Sequence, residues 1–493
     1  MKEKTVQIKD YVFVLRGDSA TVTGWNKTRK SVELPNVVEN LPVCDIAPKA
    51  FEGCSELRDL SLPFRMEHLP FPELKELKSL ENIHVSPLHD EFSSRDGVLY
   101  NKEQTVLIDC PVGRKKPLTV PDTVRKIGRS ALRGCDQLPA VTLPESVEVI
   151  EELAFHGCHR LRTLSLPESL RHIGRHAVSA CRQLREIHFS ASVTEAPLLH
   201  GCRALRAITV TPGNPALSSR SGVLYNADAT ELLRCPQGKT GRLTLPAETV
   251  SVGEGFSGLA GCGELTEIRV MPGNPAFCDL DGVLMSADRS ALICCPAGHG
   301  GTLSLPAETV TLAPDAFPTQ ILPIVLADDN RTQSFWIEES ALNAIEVSPE
   351  NPVFSSENGV LYNKERTVLL RCPGGYEGAL EVPGGVTALA DAALRGCSAL
   401  TGLNLPESLR KIGYAALEGC FRLETLTVPP LVEAIGQDAL VGCVNLKTLT
   451  VTGAETAIAP LAADCCDQLT ICAPTGSPAA QYAKEEGIPF QPL

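Results

Sequence analysis

A repeat of 23 residues runs without a gap through residues 121–190 and constrains the fold more than any other feature of the sequence. Each copy starts with a proline, and a cysteine follows fourteen residues later. Both positions recur at constant spacing, in Pro121, Pro144 and Pro167 and in Cys135, Cys158 and Cys181. The same pattern returns at 383–451. Because a fixed period of this size is typical of stacked units that share one core, the sequence predicts a repeat solenoid.

One repeat unit shows why such a coil forms. In residues 161–166 the pattern L-x-x-L-x-L turns the leucines inward and leaves Thr163 and Ser165 outward. Pro167 ends this strand because it lacks an N–H donor, and Gly174 permits a tight corner. Since every coil supplies one strand, stacking predicts a mainly β fold with a long parallel sheet on one face.

A second kind of module occurs four times, at 89–121, 214–246, 274–306 and 351–383. Each carries G-V-L, and a Cys-Pro pair begins thirteen residues after that glycine. We interpret the G-V-L-Y-N segment and the later T-V-L-L segment as the two arms of a β-hairpin.

The remaining segments complete the domain organisation. Residues 1–40 are predicted to form an N-terminal hairpin cap with a turn at Gly17-Asp18, and residues 41–472 form the solenoid with its four modules. Residues 473–493 are predicted to form a C-terminal cap with a short helix. The stretch 307–350 is the least regular part, and its A-D-D-N-R-T-Q-S-F-W segment is interpreted as a loop or distorted coil.

The nineteen cysteines fall mostly on two repeat positions, which favours buried rungs of a core. Stacked strands place equivalent residues about 4.8 Å apart with parallel side chains. A disulfide needs Cβ atoms roughly 3.5–4.5 Å apart and inclined towards each other. The sequence therefore predicts free cysteines that act as small apolar residues.

Charge and hydropathy limit the classes of partner that the chain can bind. The net charge of −14 argues against a nucleic-acid partner. Residues 114–206 depart from this balance, with 15 Lys and Arg against 9 Asp and Glu. This basic region is interpreted either as a solvated face or as a surface for an acidic partner. No apolar run reaches the roughly 18 residues that span a membrane, so no membrane insertion is expected.

The complete repeats resemble the BspA-like class of bacterial leucine-rich repeats. The resemblance is carried by LPESLRKIGYAALEGCFRLETLTVP and LPESVEVIEELAFHGCHRLRTLSLP, by the GVLYN…CP modules, and by the TVTGWN and YAKEEGIPF end segments. It covers almost the whole chain and is specific for the fold. It implies a right-handed leucine-rich-repeat superhelix used for binding, often for adhesion to host proteins or other cells.

The sequence signals no chemistry of its own. It contains no phosphate-binding loop, dinucleotide fingerprint, nucleophile elbow or H-E-x-x-H, so no catalytic residue, cofactor or metal ligand is predicted and the protein is not expected to be an enzyme. Six of the ten histidines cluster in 156–200, but no predicted rung stacks two of them. Scattered surface histidines are the interpretation we favour over a metal site.

The exposed strand positions and the basic coils form the candidate partner-binding surface. Its strand positions are small, polar and rich in Thr, which also suits a soluble sheet face without a ligand. The candidate residues are Thr142, Arg162, Thr163, Ser165, Arg171, Arg182, Arg185, Glu186, His188 and Thr209.

These observations favour a non-enzymatic scaffold that binds a protein partner, with an acidic partner suited to the basic coils. The alternative is a structural spacer or self-associating element without a specific ligand; the oligomeric state is left open. Residues 1–18 lack the apolar core of a secretory signal, so the chain as it stands is expected in the cytoplasm. The family resemblance instead implies the cell surface or secretion.

Overall fold

The computed structural model is almost entirely β. It describes residues 3–25, 29–69, 71–253, 258–259, 261–314, 316–317, 321–323, 335–337 and 340–493. The chain divides into two compact units, Met1–Lys239 and Thr240–Leu493. The predicted loop at 327–336 lies outside the described residues except for its last two positions.

The first unit contains one short helix, Phe71–Leu74, and many short strands. The strands are Lys4–Ile8, Tyr11–Arg16, Ser19–Trp25, Ser31–Glu33, Val37–Val38, Leu41–Ile46, Asp59–Leu62, Asn82–Val85, Phe92–Arg95, Val98–Asn101, Val106–Asp109, Leu118–Thr119, Lys126–Ile127, Val141–Thr142, Val149–Ile150, Thr163–Leu164, His172–Ile173, Glu186–Phe189, Ala207–Val210, Leu217–Arg220, Val223–Asn226 and Leu232–Arg234.

The second unit ends with a helix, Pro478–Glu485, and a final strand. Its strands are Gly241–Leu245, Leu265–Val270, Phe277–Leu280, Val283–Ser286, Ala291–Cys294, Gly301–Leu305, Thr311–Leu312, Ile321–Pro323, Phe335–Ile337, Leu342–Val347, Phe354–Glu357, Val360–Asn363, Val368–Arg371, Gly378–Glu381, Ala388–Leu389, Leu400–Asn404, Lys411–Ile412, Thr425–Val428, Ala434–Ile435, Thr448–Val451, Ala457–Ile458, Thr470–Ala473 and Phe490–Pro492.

Each regular coil contributes two short strands. The first strand is the predicted leucine-rich one, such as Thr163–Leu164. The second strand follows the proline corner, as in Val149–Ile150 and His172–Ile173, which pair in parallel register. The predicted fold class, mainly β with parallel strands in stacked coils of about 23 residues, is confirmed. The expectation of one strand per coil was incomplete, because the second inward edge also forms a backbone ladder.

The hairpin modules interrupt the row of first strands. All four predicted hairpins are confirmed as antiparallel pairs. Each hairpin glycine lies against the preceding first strand: the Ile83 N–H donates to the Gly97 carbonyl at 2.9 Å. Gly97 has a φ of +75°, and a Cβ there would lie 2.3 Å from the Asn82 side chain. The longest parallel ladder therefore lies in the row of second strands, from Val368–Arg371 to Ala457–Ile458.

The interior matches the predicted inward positions. Leu161, Leu164 and Leu166 are buried, whereas Thr163 and Ser165 are exposed. Each buried aliphatic side chain of this size contributes about 1.5–3 kcal/mol. The role of Gly174 differs from the prediction, because its φ is not positive. A Cβ at Gly174 would lie 2.4 Å from the Glu152 nitrogen, so glycine is required by the close approach of two coils.

The cysteines line this interior as rungs. All nineteen are free thiols, and all but Cys278 and Cys465 are buried. In the regular coils the thiol donates to a carbonyl of the previous coil, as Cys158 does to Leu132 at 3.3 Å, whereas Cys110, Cys235 and Cys295 of the modules donate to the carbonyl of the following proline. Burial raises the pKa of Cys443 to about 12, which keeps this thiol protonated.

A buried ion pair links Lys75, in the coil before the first module, to Asp109 in that module. The Lys75 ammonium lies 2.6 Å from the Asp109 carboxylate. It also donates to the carbonyls of Cys110 and Ala131, at 3.1 and 3.0 Å. The opposite charge and these three contacts satisfy a cation that burial would otherwise destabilise.

An asparagine, buried in two modules and half-buried in the third, links each of the three later modules to the preceding coil. The Asn351 amide donates to the carbonyls of Pro306 and Thr309, at 3.0 and 2.7 Å. Its carbonyl accepts from the N–H groups of Val353 and Phe354. Asn214 and Asn274 make the equivalent sets of bonds.

We predict that Asn351→Ala destabilises the second unit by about 1–3 kcal/mol, because it leaves buried donors and acceptors without partners. Urea denaturation followed by circular dichroism measures the change. The matched control is Asn343→Ala, an exposed strand residue without a side-chain hydrogen bond, with an expected change within about 0.5 kcal/mol. Equal effects of the two substitutions would contradict the proposed role of Asn351.

Candidate partner-binding surface

A three-stranded parallel sheet in the first unit carries the centre of the candidate surface. Its strands are Thr163–Leu164, Glu186–Phe189 and Ala207–Val210. Register places Thr163 beside Glu186, and His188 beside Thr209. Because inward residues alternate with outward ones, these four side chains share the outer face of the sheet.

The structure brings most of the ten predicted site residues together. Arg162 and Arg185 each precede a strand of this sheet, Ser165 directly follows one, and Arg182 lies on the turn before Glu186. Two residues lie elsewhere. Thr142 belongs to a separate two-stranded sheet with Leu118–Thr119, and Arg171 lies in the row of second strands beside Glu148.

Arginines form a row along this sheet. The Arg185 N–H donates to the Arg162 carbonyl at 3.0 Å, and the Arg206 N–H donates to the Arg185 carbonyl at 2.8 Å. The three residues therefore occupy equivalent positions on successive coils, about 4.8 Å apart. Beside them, burial and then the neighbouring Arg203 guanidinium lower the pKa of Arg182.

Sequence reasoning missed Arg206. The signal was present, since Arg206 lies four residues after Cys202, as Arg185 does after Cys181. We call Arg162, Arg182, Arg185 and Arg206 the arginine face. None of these four makes an ion pair in the described part of the chain, and Arg162 has only a 3.5 Å hydrogen bond to Gln183.

Several cations of the earlier coils in the basic region are neutralised by ion pairs. Arg125 pairs with Glu148 at 3.2 Å, and Arg129 pairs with Glu152 at 3.0 Å. Lys126 pairs with Glu151. These pairs are partly exposed, so each contributes only about 0.2–1 kcal/mol, but they leave little net charge on this part of the surface.

His188 is fixed by hydroxyl groups. Its Nδ1 lies 2.9 Å from the Thr209 Oγ1, and its Nε2 lies 3.0 Å from the Thr211 Oγ1. Glu168 lies 4.0 Å from the same Nε2. His188 and Thr209 thus form a preordered polar surface next to the arginine face.

Three other histidines of the first unit are held in their neutral form. Burial lowers the pKa of His156, His159 and His200. Arg133 lowers that of His156 further, and Arg234 lowers that of His200. No group of three or more His, Cys, Asp or Glu side chains among the described residues is arranged to hold a metal ion.

The fold and this surface define the class of the protein: a scaffold of stacked leucine-rich coils. A family model of the BspA type leucine rich repeat region matches in six copies, over residues 114–220 and 378–474. These two ranges carry BspA-type leucine-rich repeats, as the sequence predicted. Repeat proteins of this kind are typically non-enzymatic scaffolds.

Solved structures of bacterial repeat proteins are similar to this chain over nearly their full length. A leucine rich cell surface protein from Faecalibacterium prausnitzii A2-165 is 16% identical, covers 98% of each chain and has a TM-score of 0.25. A leucine-rich repeat protein from Bacteroides ovatus ATCC 8483 is 17% identical, covers 99% of each chain and has a TM-score of 0.24. The pneumococcal vaccine antigen PcpA is 15% identical, covers 99% of this chain and 98% of its own, and has a TM-score of 0.28.

The comparison with curated proteins gave no match. Neither of the two described helices has the length and apolar character needed to cross a membrane.

The lowered histidine pKa values predict a loss of stability in acid. Below the ordinary pKa of 6.5 the unfolded chain binds protons that the folded His156, His159 and His200 do not bind. The histidine contribution is therefore fully present above pH 6.5 and is lost as the pH falls below that value. We expect His156→Gln with His200→Gln to reduce the fall in the urea midpoint between pH 7.5 and 5.5.

The control is His172→Gln, which replaces an exposed histidine and is expected to leave the pH profile unchanged. Parallel profiles for the wild-type chain and the double variant would contradict the assignment.

Proposed function

We propose that the chain is a non-enzymatic protein-binding scaffold whose arginine face docks an acidic surface of a partner protein. The observation that supports it best is the row Arg162, Arg185 and Arg206, three like charges on successive coils that have no carboxylate partner among the described residues. The strand positions Thr163, Ser165, Glu186, His188 and Thr209 form the adjoining contact area.

The neighbouring arginines of this row raise the electrostatic energy of the unbound chain. Like charges on strands about 4.8 Å apart repel one another, and this repulsion falls when carboxylates of a partner approach. The planar guanidinium suits carboxylates because it can donate two parallel hydrogen bonds. An acidic partner would thus be attracted over a distance and oriented on contact.

The residue types of the arginine face also determine which forces drive binding and how binding depends on salt. Arginine is common among interface residues that dominate affinity, but residues 101–224, which include this face, contain no tryptophan or tyrosine. Charge therefore supplies most of the attraction, and binding weakens as salt screens exposed charges beyond about 8–10 Å.

We predict that Arg162→Glu, Arg182→Glu and Arg185→Glu together weaken binding of an acidic polypeptide probe, poly-L-glutamate, at least about tenfold, or ~1.4 kcal/mol. Biolayer interferometry on the full chain at two salt concentrations measures the effect. Arg171 is left unchanged because it lies in the other strand row.

The matched control carries the same change of charge at exposed positions elsewhere, Lys116→Glu, Lys411→Glu and Arg422→Glu. Equal losses in both variants would refute a specific arginine face. Light scattering completes the test. Concentration-dependent assembly of the wild-type chain that is abolished in the triple variant of the arginine face would favour the self-associating alternative.

Adhesion at a cell surface is the setting we propose for this scaffold, because BspA-like repeats are often used in that way. Protease treatment of intact source cells should then cleave the protein, with detection by an antibody against the chain. Protection until lysis would place the protein inside the cell and overturn the adhesion proposal, while leaving the arginine face to an intracellular partner.

A further inference from the structure

The row of second strands in the first unit stops at His172–Ile173, although coils continue beyond it. The next coil is shorter, because Cys181 and Cys202 are 21 residues apart instead of 23. Residues 190–202 are described and contain no strand, while the first-strand sheet continues to Ala207–Val210. One rung is thus missing from one side of the stack.

The hydrogen-bond pattern defines what is missing. At a regular step the Arg125 carbonyl accepts from the N–H groups of Glu148 and Val149, at 2.8 and 3.2 Å. The Ile127 carbonyl accepts from the Glu151 N–H at 3.0 Å. Each step thus needs three N–H donors at fixed positions of the following strand.

No strand in residues 190–202 pairs with His172–Ile173, the last strand of this row. In this register the Arg171 and Ile173 carbonyls should accept from the coil that follows. Within the described residues neither carbonyl accepts a backbone hydrogen bond. The following coil bonds to this one further along, where the Leu198 N–H donates to the Arg175 carbonyl at 2.6 Å and the Ala180 N–H donates to the His200 carbonyl at 2.7 Å. An unpaired strand edge of this kind can pair with another extended chain.

An open cleft of about 670 Å³ lies beside this edge. Its volume is within the range of about 300–1,000 Å³ that is usual for ligand sites. The residues around it are His172, Ile173, Gly174 and Arg175 from the edge, Glu195 and Ala196 from the irregular segment, and Arg129, Val149, Glu151 and Glu152 from earlier coils. We call this strand end and its cleft the edge cleft.

The charges along this row are a second, independent indication of a missing rung. Equivalent positions on successive coils alternate in sign, from Arg125 to Glu148 to Arg171. A parallel row runs from Arg129 through Glu152 towards Arg175 in the same repeat register. Both rows end on a cation.

The terminal cations lack partners. Arg171 and Arg175 make no ion pair in the described part of the chain, and Glu195 across the cleft pairs with neither. A further rung with carboxylates four residues apart would continue both rows.

The second unit shows the same kind of strand row with its end covered. There the row ends at Ala457–Ile458, and the helix Pro478–Glu485 packs against that strand. The helix buries Ala479, Tyr482 and Ala483 in the core. Such covering is expected wherever a stack of repeats stops.

We infer that the edge cleft binds an extended acidic segment of a partner protein, which adds as a parallel strand to His172–Ile173 and places carboxylates on Arg171 and Arg175. The inference rests on the proposed function, since it names a second contact for the acidic partner. The segment supplies the three missing N–H donors, and its acidic side chains complete the two alternating rows.

The test uses a synthetic fluorescent peptide with the sequence of residues 146–154, SVEVIEELA, because this rung follows Arg125 and Arg129 in the chain. Fluorescence polarisation should show saturable binding to the full-length protein. Arg171→Glu with Arg175→Glu should weaken binding at least about tenfold, or ~1.4 kcal/mol. N-methylation at the position of Glu151 should weaken it similarly, because that N–H serves the Ile173 carbonyl.

The matched control is Lys116→Glu with Arg422→Glu, the same change of charge at exposed positions outside both proposed surfaces, which should change peptide affinity by less than about twofold, or ~0.4 kcal/mol. Absence of peptide binding would overturn the inference. Loss of binding only in the control variant would also overturn it, while leaving the proposed function intact. Conversely, poly-L-glutamate binding that ignores the arginine face, with peptide binding retained at the edge cleft, would refute the proposed function alone.

A second copy of the chain is the competing occupant. A dimer in light scattering that Arg171→Glu with Arg175→Glu dissociates, together with no binding of the peptide, would assign the edge cleft to self-association and overturn the inference.

Discussion

The backbone ladder between successive coils is the constraint on which each unit depends. At most steps of the second-strand row, one carbonyl accepts two N–H groups and another accepts a third, with the same positions used in successive coils. A single coil cannot bury its leucine edge, so the ladder and the core form together. When one coil loses two residues, as between Cys181 and Cys202, the second strand is lost although the core continues.

This ladder also determines the surface, because it turns sequence positions into rows of side chains. Where the charges of a row alternate, as from Arg125 to Glu148 to Arg171, neighbouring coils neutralise one another until the row ends. Where one sign repeats, as in Arg162, Arg185 and Arg206, charge accumulates without compensation. The proposed binding of an acidic partner rests on the second kind of row, and the proposed strand addition rests on the broken end of the first.

Much of this architecture could be predicted from the sequence. The inward leucines, the four hairpins, the turn at Gly17-Asp18 and the C-terminal helix follow from local patterns, and the structure contains each of them. The second strand of each coil was not predicted, because two paired residues leave almost no periodic signal. The role of Asn351 was also missed, since its carbonyl partners lie 42 and 45 residues away in the sequence.

The sequence by itself determined the repeat, its period, the class of fold and the set of residues from which a binding surface could be built. Only the tertiary structure decided which of them act together. It separated Arg171 and Thr142 from the other candidate residues and added Arg206. It also paired Arg125, Lys126 and Arg129 with carboxylates. The physical reason is that a side chain's neighbours in a stacked fold lie one coil away, so their identity depends on the register between coils and on where that register breaks.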